Sequence, residues 1–197
     1  SLDYFYDSEE NFEDVYYKIS KHIVELAKEG DLVYAVPGHP RVAEKTVGII
    51  ESMAKENNIE VETIASMSFV DAMFNYLAVD PADGFKLIDA FEIENSYIDT
   101  NTSMIITQIY DHFIASNIKL KLMEYYDYDQ EVCIVNGAGV KNLESKKYVP
   151  LYELDRSENL FNYLTSLYIP KSSKKMYNTV HDLEAIMNTL RGENGCD

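Results

Sequence analysis

The turn Pro37-Gly38-His39-Pro40 is the segment whose residue types and spacing point most directly to chemistry. An apolar run over residues 32–36 leads into this turn, and a helical pattern begins at Pro40. This order predicts a buried strand, a tight turn and a helix with proline in its first turn. Ligands of open α/β sheets bind at the carboxyl ends of strands, so we expect the backbone of this turn to contact a ligand.

Several residues near such turns have two open interpretations. His39 is either a turn or capping residue or a general base, and Gly38 either closes the turn or lets a ligand approach the backbone. Ser68 is either the N-cap of a helix or a ligand contact. Gln108, Tyr110 and the glycine turn at residues 136–139 either hold the fold together or line a ligand site.

Composition narrows the class of partner. The chain of 197 residues carries 34 acidic and 17 basic residues, a net charge of −17, and only three arginines. Nucleic-acid binding needs clustered lysine and arginine, so nucleic acid is not an expected partner. No apolar run reaches the roughly 18 residues of a membrane span, and no signal peptide opens the chain, so we expect a cytoplasmic protein. Cys133 and Cys196 form no CxxC pair, so neither a metal site nor a disulfide framework is expected.

The first third of the chain reads as a helix, a strand, a second helix and a second strand. Apolar residues at helical spacing occupy residues 11–29, and a second helical pattern covers residues 40–56. The strands are predicted over residues 32–36 and 60–64. Strand, helix and strand in this order predict a parallel crossover unit.

The rest of the chain also alternates between predicted helices and predicted strands. A short helix is predicted over residues 69–77 and a longer one over residues 111–125, with a last amphipathic helix after a polar linker at 171–175. Strands are predicted at 85–89, 104–109, 131–135 and 148–154. The two α/β halves meet near residues 65–70.

Five segments of the chain, in this order, resemble a known family. They are residues 30–44 (GDLVYAVPGHPRVAE), 65–72 (ASMSFVDA), 104–111 (MIITQIYD), 167–170 (LYIP) and 181–196 (HDLEAIMNTLRGENGC). The first four are similar to the second glycine turn, the entry to the second lobe, a strand lining the cofactor cleft and the end of a tetrapyrrole (corrin/porphyrin) methylase. The last resembles the first helix of a MazG-type nucleoside triphosphate pyrophosphohydrolase, so the chain is similar to the methylase-like half of bacterial proteins that fuse these two parts.

The resemblance implies a two-lobed α/β fold with mixed sheets. It implies a truncated first lobe over residues 1–66, a second lobe over residues 67–170, and a linker with the first MazG-like helix over residues 171–197. The family opens with a strand and a Gly-x-Gly-Pro-Gly loop, which have no counterpart at the start of this sequence. Family members form homodimers, so a homodimer is expected here.

The resemblance also implies a cofactor, S-adenosylmethionine, held between the lobes by backbone groups and apolar contacts. The residues at matching positions are Pro37, Gly38, His39, Val42, Ser68, Phe69, Thr107, Gln108, Gly137 and Ala138. The sulfonium is an activated methyl donor, so catalysis needs alignment and desolvation more than a catalytic triad. The sequence identifies no catalytic residue.

Three functions remain open at this point. The first is a methyltransferase that acts on an unknown small molecule. The second is a ligand-sensing or docking module that regulates an attached pyrophosphohydrolase, which is favoured by the acidic surface and by His39 standing where the family has aspartate. The third is a dimerisation scaffold. The chain itself should not hydrolyse nucleoside triphosphates, because the acidic metal-binding motif of MazG proteins does not occur in it.

Overall fold

The computed structural model of the chain describes residues 2, 5, 12–156, 158–173 and 180–192. It divides into two compact units, residues 1–72 and residues 73–197. Cys196, residues 174–175 of the predicted linker and the end of the MazG-like segment lie outside the described residues. No helix among the described residues is long and apolar enough to cross a membrane.

The first unit contains two helices, α1 (Phe12–Ala27) and α2 (Lys45–Glu56), which pack against each other. Both were predicted from apolar spacing, because residues three or four apart share one helix face. The helices form one small apolar core, whose buried members are Val15, Ile19, Ile23, Val24 and Ile50. The second helix begins at Lys45 rather than at Pro40, since Ala43 has a φ of 55° that no α-helix accommodates.

The two strands predicted in this unit are wrong. Residues 31–36 and 59–68 have no regular secondary structure, and the first unit has no strand among its described residues. Val33 is 91% exposed and Ile64 is 78% exposed, so neither segment is a buried strand. Apolar patterning gives a segment a face, but a strand also needs a neighbouring backbone to pair with. The predicted parallel crossover is therefore not formed.

Helix α3 (Phe69–Leu77) contains the division between the units and confirms the predicted short helix. The second unit follows, with the strands β1 (Phe85–Asp89), β2 (Ser103–Thr107), β3 (Glu131–Asn136), β4 (Ser145–Pro150) and β5 (Thr165–Ile169). Helix α4 (His112–Leu122) joins β2 to β3, and helix α5 (Val180–Arg191) follows β5. The mixed α/β fold class is thereby confirmed.

The five strands form one mixed sheet in the order β1-β2-β5-β3-β4. Strands β1 and β2 are parallel, whereas β5 is antiparallel to both of its neighbours, β2 and β3. Strand β3 therefore runs in the same direction as β1 and β2. The carboxyl ends of these three strands lie along one edge of the sheet, together with the amino ends of β4 and β5.

Burial in this sheet follows strand position. All residues of β2 and β5 and most of β3 are buried, whereas β1 and β4 are the partly exposed edge strands. Helix α4 packs on the same core through Ala115, Ile118 and Leu122. Burial also raises the pKa of the Cys133 thiol on β3, which keeps that thiol protonated.

Two further sequence predictions need correction in the second unit. The strand expected at residues 148–154 is β4, which ends at Pro150, and Leu151–Arg156 form a 3-10 helix. The strand expected at residues 104–109 ends at Thr107, because Gln108 has a φ of 64° that breaks the extended backbone. The sequence patterns did not predict β5 at all.

Replacing Ile106 by alanine should lower the free energy of unfolding by about 3 kcal/mol, because Ile106 is fully buried in β2 and its truncation leaves a cavity. Leu120→Ala is the control, since Leu120 on α4 is 62% exposed and its loss should cost less than about 0.5 kcal/mol. Urea unfolding followed by circular dichroism measures both. Equal losses in the two variants would contradict the position of the core.

Candidate functional site

The candidate site residues of the first unit centre on the turn at residues 37–44. Gly38 has a φ of 79°, which is why glycine occupies this position. A Cβ placed on Gly38 would lie 3.7 Å from the carbonyl oxygen of Met67, so the turn lies beside the segment that leads into α3. The Val42 N–H donates to the His39 carbonyl at 3.0 Å and closes the turn.

His39 is engaged with its own turn. Its Nδ1 accepts a hydrogen bond from the Arg41 N–H at 3.0 Å. A neutral imidazole has one accepting nitrogen, and here that nitrogen is Nδ1, so Nε2 carries the proton. This tautomer has no second lone pair with which to take a proton from a substrate. The contact favours the turn-forming role of His39 over the general-base role.

Ser68 forms the N-cap of α3. Its Oγ accepts from the Val70 N–H at 3.2 Å, while the Asp71 carboxylate accepts from the Ser68 N–H at 2.8 Å and from the Ser68 hydroxyl at 2.9 Å. This reciprocal arrangement is a capping box, in which both ends of the first helical turn are satisfied. Because the Ser68 hydroxyl donates to Asp71, it forms no relay through His39, although the two segments are adjacent.

The capping box shifts the charge equilibrium of Asp71. The hydrogen bonds from the Ser68 N–H and hydroxyl lower the pKa of the Asp71 carboxyl. Phe69, the first residue of α3, is half-buried next to this cap. Pro37 is exposed and Val42 is half-buried in the turn.

An ion pair that the sequence analysis missed ties the turn to the rest of the first unit. The Arg41 guanidinium donates to both carboxylate oxygens of Glu51 at 2.6 Å, and the Thr63 hydroxyl donates to the same carboxylate at 2.8 Å. These bonds, that from Thr63 first, lower the pKa of the Glu51 carboxyl. Arg41 and Glu51 are 10 positions apart and Glu51 and Thr63 are 12 positions apart, so no local spacing could have revealed the contact.

The candidate site residues of the second unit lie at the carboxyl ends of its strands, beginning with β1 and β2. Gln108 adopts the left-handed conformation at a φ of 64°, which is unfavourable for a residue with a long side chain. Its Nε2 donates to Asp89 at 2.8 Å, and its Oε1 accepts from the Tyr110 hydroxyl at 2.6 Å. Residues held in strained conformations by surrounding contacts cluster at functional sites.

The glycine turn after β3 is held by a different network at the same edge. The Asn136 Oδ1 accepts from the Thr165 hydroxyl at 2.6 Å and from the Asn162 Nδ2 at 3.2 Å, and the Gly137 N–H donates to the Leu164 carbonyl at 3.1 Å. Gly137 has a φ of 55°, and a Cβ there would lie 3.0 Å from the Leu143 carbonyl oxygen. Packing inside the fold thus requires glycine at position 137.

The structure brings the predicted residues together within each unit. In the first unit, Gly38 and His39 lie beside the segment that contains Ser68. In the second unit, four predicted residues lie along one sheet edge: Thr107, Gln108, Gly137 and Ala138. Strand β5 lies between the strands that carry these residues, and its Thr165 carbonyl accepts a hydrogen bond from the Ile109 N–H at 3.4 Å. Contact of these residues with a cofactor stays a prediction.

Several residues of this edge were not predicted. Asp89 was the last residue of a predicted strand, and only that position could have marked it. Asn162 and Thr165 gave no signal, because their partner Asn136 is 26 and 29 residues away. A groove of about 1040 Å³ between α1 and α2 includes none of the predicted site residues in its lining. Within the described part of the chain, no group of His, Cys, Asp and Glu residues could hold a metal ion.

Comparison with known proteins defines the class of this protein. The sequence model of the tetrapyrrole (corrin/porphyrin) methylases matches residues 1–155, so the chain belongs to this family. Among particular proteins, it is 43% identical over 197 residues to the uncharacterized protein YabN of Bacillus subtilis. That match includes 99% of this chain and 40% of YabN, so the chain spans about two fifths of the length of that relative.

Solved structures share the fold. The uroporphyrin-III C-methyltransferase of Thermus thermophilus superposes with a TM-score of 0.65 at 15% identity, over 78% of this chain and 70% of that one. A structure of that enzyme complexed with S-adenosylhomocysteine gives a TM-score of 0.58 at 15% identity, over 81% of this chain and 73% of that one. The methyltransferase CobJ gives a TM-score of 0.60 at 12% identity, over 82% of this chain and 74% of that one. At such identities the likeness establishes the fold alone.

Ser68→Ala should destabilise the first unit by about 1 kcal/mol, because it removes the N-cap hydroxyl of α3. The control is Ser66→Ala, since Ser66 is exposed and lies two positions before the cap. Thermal unfolding at pH 7 compares the two variants with the wild type. Equal effects of the two substitutions would contradict the capping role.

The destabilisation by Ser68→Ala should also depend on pH. The folded-state pKa of Asp71 lies below its ordinary value of 3.8, so the stability gained from the ionised carboxylate is present above that value. It is lost as the pH falls through the folded-state pKa. The difference between wild type and Ser68→Ala should therefore shrink below about pH 4, and a difference that grows on acidification would contradict this assignment.

Proposed function

We propose that this chain is a methyltransferase domain that uses S-adenosylmethionine to methylate a small molecule. The observation that carries the proposal is membership of the tetrapyrrole methylase family over residues 1–155. The second unit supports it, because the carboxyl ends of three parallel-running strands meet at one edge, where α/β proteins bind ligands. The S-adenosylhomocysteine complex of a fold neighbour gives the class of cofactor.

The predicted residues of each unit suit such a cofactor in different ways. The turn around Gly38 offers backbone groups without a side chain, because position 38 carries only hydrogen. The amide of Gln108 is a fixed polar group, since Asp89 and Tyr110 hold its two ends. Ala138 adds a small, half-buried residue at the same sheet edge as Gln108. Backbone, amide and small apolar groups suit a zwitterionic nucleoside better than a polyanion, as does the net charge of −17.

The reaction makes few chemical demands on the protein. The bound cofactor supplies a methyl group on a sulfonium, so transfer breaks the sulfur–carbon bond, forms a bond to the acceptor and leaves a neutral thioether. The acceptor loses its proton to water or to a basic group of its own. The chain's residues then have to orient the acceptor and exclude solvent. His39 is not needed as a base, in agreement with its bond to the Arg41 N–H.

Calorimetric titration of the natural protein that carries this sequence tests the proposal. We expect both S-adenosylmethionine and S-adenosylhomocysteine to bind. Gly38→Trp should abolish binding, because an indole would fill the turn and the φ of 79° excludes a side chain. Gly30→Trp is the control, since a Cβ on Gly30 meets no atom within 4 Å. Absence of binding to the wild type would overturn the cofactor assignment.

A variant in the second unit separates loss of binding from loss of the turn. Gln108→Asn keeps a residue that tolerates the left-handed conformation but shortens the side chain that joins Asp89 to Tyr110. We expect affinity for both ligands to fall about tenfold, the cost of one well-placed hydrogen bond. Circular dichroism should be unchanged. Wild-type affinity in this variant would exclude Gln108 from the site.

One observation favours the second candidate function, a docking module for an attached pyrophosphohydrolase. Helix α5 exposes apolar residues at spacings of three and four: Val180, Leu183, Met187 and Leu190 are 84%, 58%, 38% and 47% exposed. Such a stripe suits packing against further helices. The matched relative is much longer than this chain, since the aligned part covers 40% of that relative.

Two measurements on the natural protein distinguish these functions, and this chain alone provides a control. Given a nucleoside triphosphate and Mg²⁺, the chain alone should release no pyrophosphate under either function. In the natural protein, a docking module would change the rate of triphosphate hydrolysis on addition of S-adenosylmethionine and would yield no methylated product. A methyltransferase would instead form S-adenosylhomocysteine, detected by mass spectrometry, when the acceptor is present in a small-molecule extract. Pyrophosphate release by this chain alone would contradict both assignments.

A further inference from the structure

Three aromatic side chains form a partly exposed corner at the sheet edge of the second unit. They are Phe91, Tyr110 and Tyr163, here called the aromatic corner. The Phe91 and Tyr110 rings are 6.1 Å apart between centroids at an interplanar angle of 55°, and the Tyr110 and Tyr163 rings are 5.4 Å apart at 52°. Phe91 is 51% exposed and Tyr163 is 85% exposed, so ring surface faces solvent.

The corner is built onto the candidate site. The central ring belongs to Tyr110, whose hydroxyl donates to Gln108. Phe91 is positioned by its own N–H, which donates to Asp89 at 3.0 Å. Tyr163 stands in the turn between Asn162 and Thr165, the two residues bonded to Asn136. The hydrogen bonds that hold the strand ends therefore also hold the three rings.

The segments that carry the three rings are acidic. The rings lie in the segments 89–92, 108–111 and 161–164, which contain three carboxylates and no lysine or arginine. The carboxylates are Asp89, Glu92 and Asp111. A negative potential attracts a cation and repels a phosphate-bearing ligand. The faces of aromatic rings also attract cations, through the negative charge of their π electrons.

The angles between the rings select the shape of the cation. Two parallel rings would form a slot for a flat heterocycle, whereas the rings here are tilted by more than 50° to one another. Tilted rings in contact with each other instead leave exposed outer faces, and such faces attract a compact cation as they attract methylated ammonium groups. The corner thus suits a small alkylated cation, in which the charge is spread over methyl and methylene groups.

We propose that the aromatic corner binds the sulfonium group of S-adenosylmethionine and distinguishes it from the neutral thioether of S-adenosylhomocysteine. This assignment rests on the proposed function and extends it to Phe91 and Tyr163, which the sequence did not mark as cofactor contacts, and to the ring of Tyr110. Loss of the positive charge on methyl transfer removes the attraction to the rings and carboxylates. The corner therefore favours the cofactor before the reaction and releases the product after it.

Calorimetry with a matched pair of substitutions tests the corner. The quantity of interest is the ratio of the two dissociation constants, S-adenosylhomocysteine over S-adenosylmethionine. Tyr163→Leu and Phe91→Leu should each lower this ratio by about fivefold, the usual size of a partly solvated cation–π contact. Tyr163→Phe keeps the ring and should leave the ratio unchanged. Tyr128→Leu is a second control, since Tyr128 is 63% exposed and pairs with Tyr152 instead.

A second probe separates failure of the corner from failure of the proposed function. Trimethylsulfonium chloride should shift the aromatic NMR resonances of Phe91 and Tyr163 in the wild type, and the shifts should be absent in Tyr163→Leu. Binding of both nucleosides with ratios unchanged in Tyr163→Leu and Phe91→Leu would overturn the corner and leave the proposed function intact. Absence of nucleoside binding, with the trimethylsulfonium shifts retained, would overturn the proposed function and its cofactor. Self-association of the wild type that Tyr163→Leu abolishes would show that the corner is an interface between copies, which also overturns the proposal.

Discussion

The insertion of β5 between β2 and β3 is the constraint on which the candidate site depends. Strand β5 is antiparallel to both neighbours, so β2 and β3 run in the same direction although they are not paired. Their carboxyl ends, at Thr107 and Asn136, consequently reach the same edge of the sheet. Since β5 begins at Thr165 on that edge, one residue bonds to both sides, through its carbonyl to Ile109 and its hydroxyl to Asn136.

Polar contacts at this edge stabilise backbone conformations that the chain would otherwise avoid. Gln108 keeps its left-handed conformation because Asp89 and Tyr110 hold both ends of its amide. The first unit uses the same principle, since the Glu51 carboxylate accepts from Arg41 and Thr63 and so joins the turn, α2 and the following segment. Exposed ion pairs contribute little to stability, so the value of such contacts lies in fixing geometry.

This arrangement suits a reaction in which the protein aligns its reactants. Family membership gives the class of protein, and the hydrogen bond of His39 within its own turn argues against a general-base role for that residue. In the proposals above, fixed amide and aromatic groups instead provide position and selectivity. The same logic connects the strained Gln108 to the rings of Phe91, Tyr110 and Tyr163, because one hydrogen-bonded network orients them all.

The sequence by itself determined the helices, the β1 and β3 strands, the family and the positions of the turns. Helical spacing needs only neighbours three or four residues away, and a glycine such as Gly38 reports a local φ requirement. Only the tertiary structure decided which extended segments became strands: residues 32–36 carry an apolar pattern but pair with no described strand, whereas the unpredicted β5 pairs on both sides. It alone also joined Asn136 to Thr165 and Gln108 to Asp89. Pairing and side-chain partners depend on residues far apart in the chain, and one sequence holds no record of which distant residues meet.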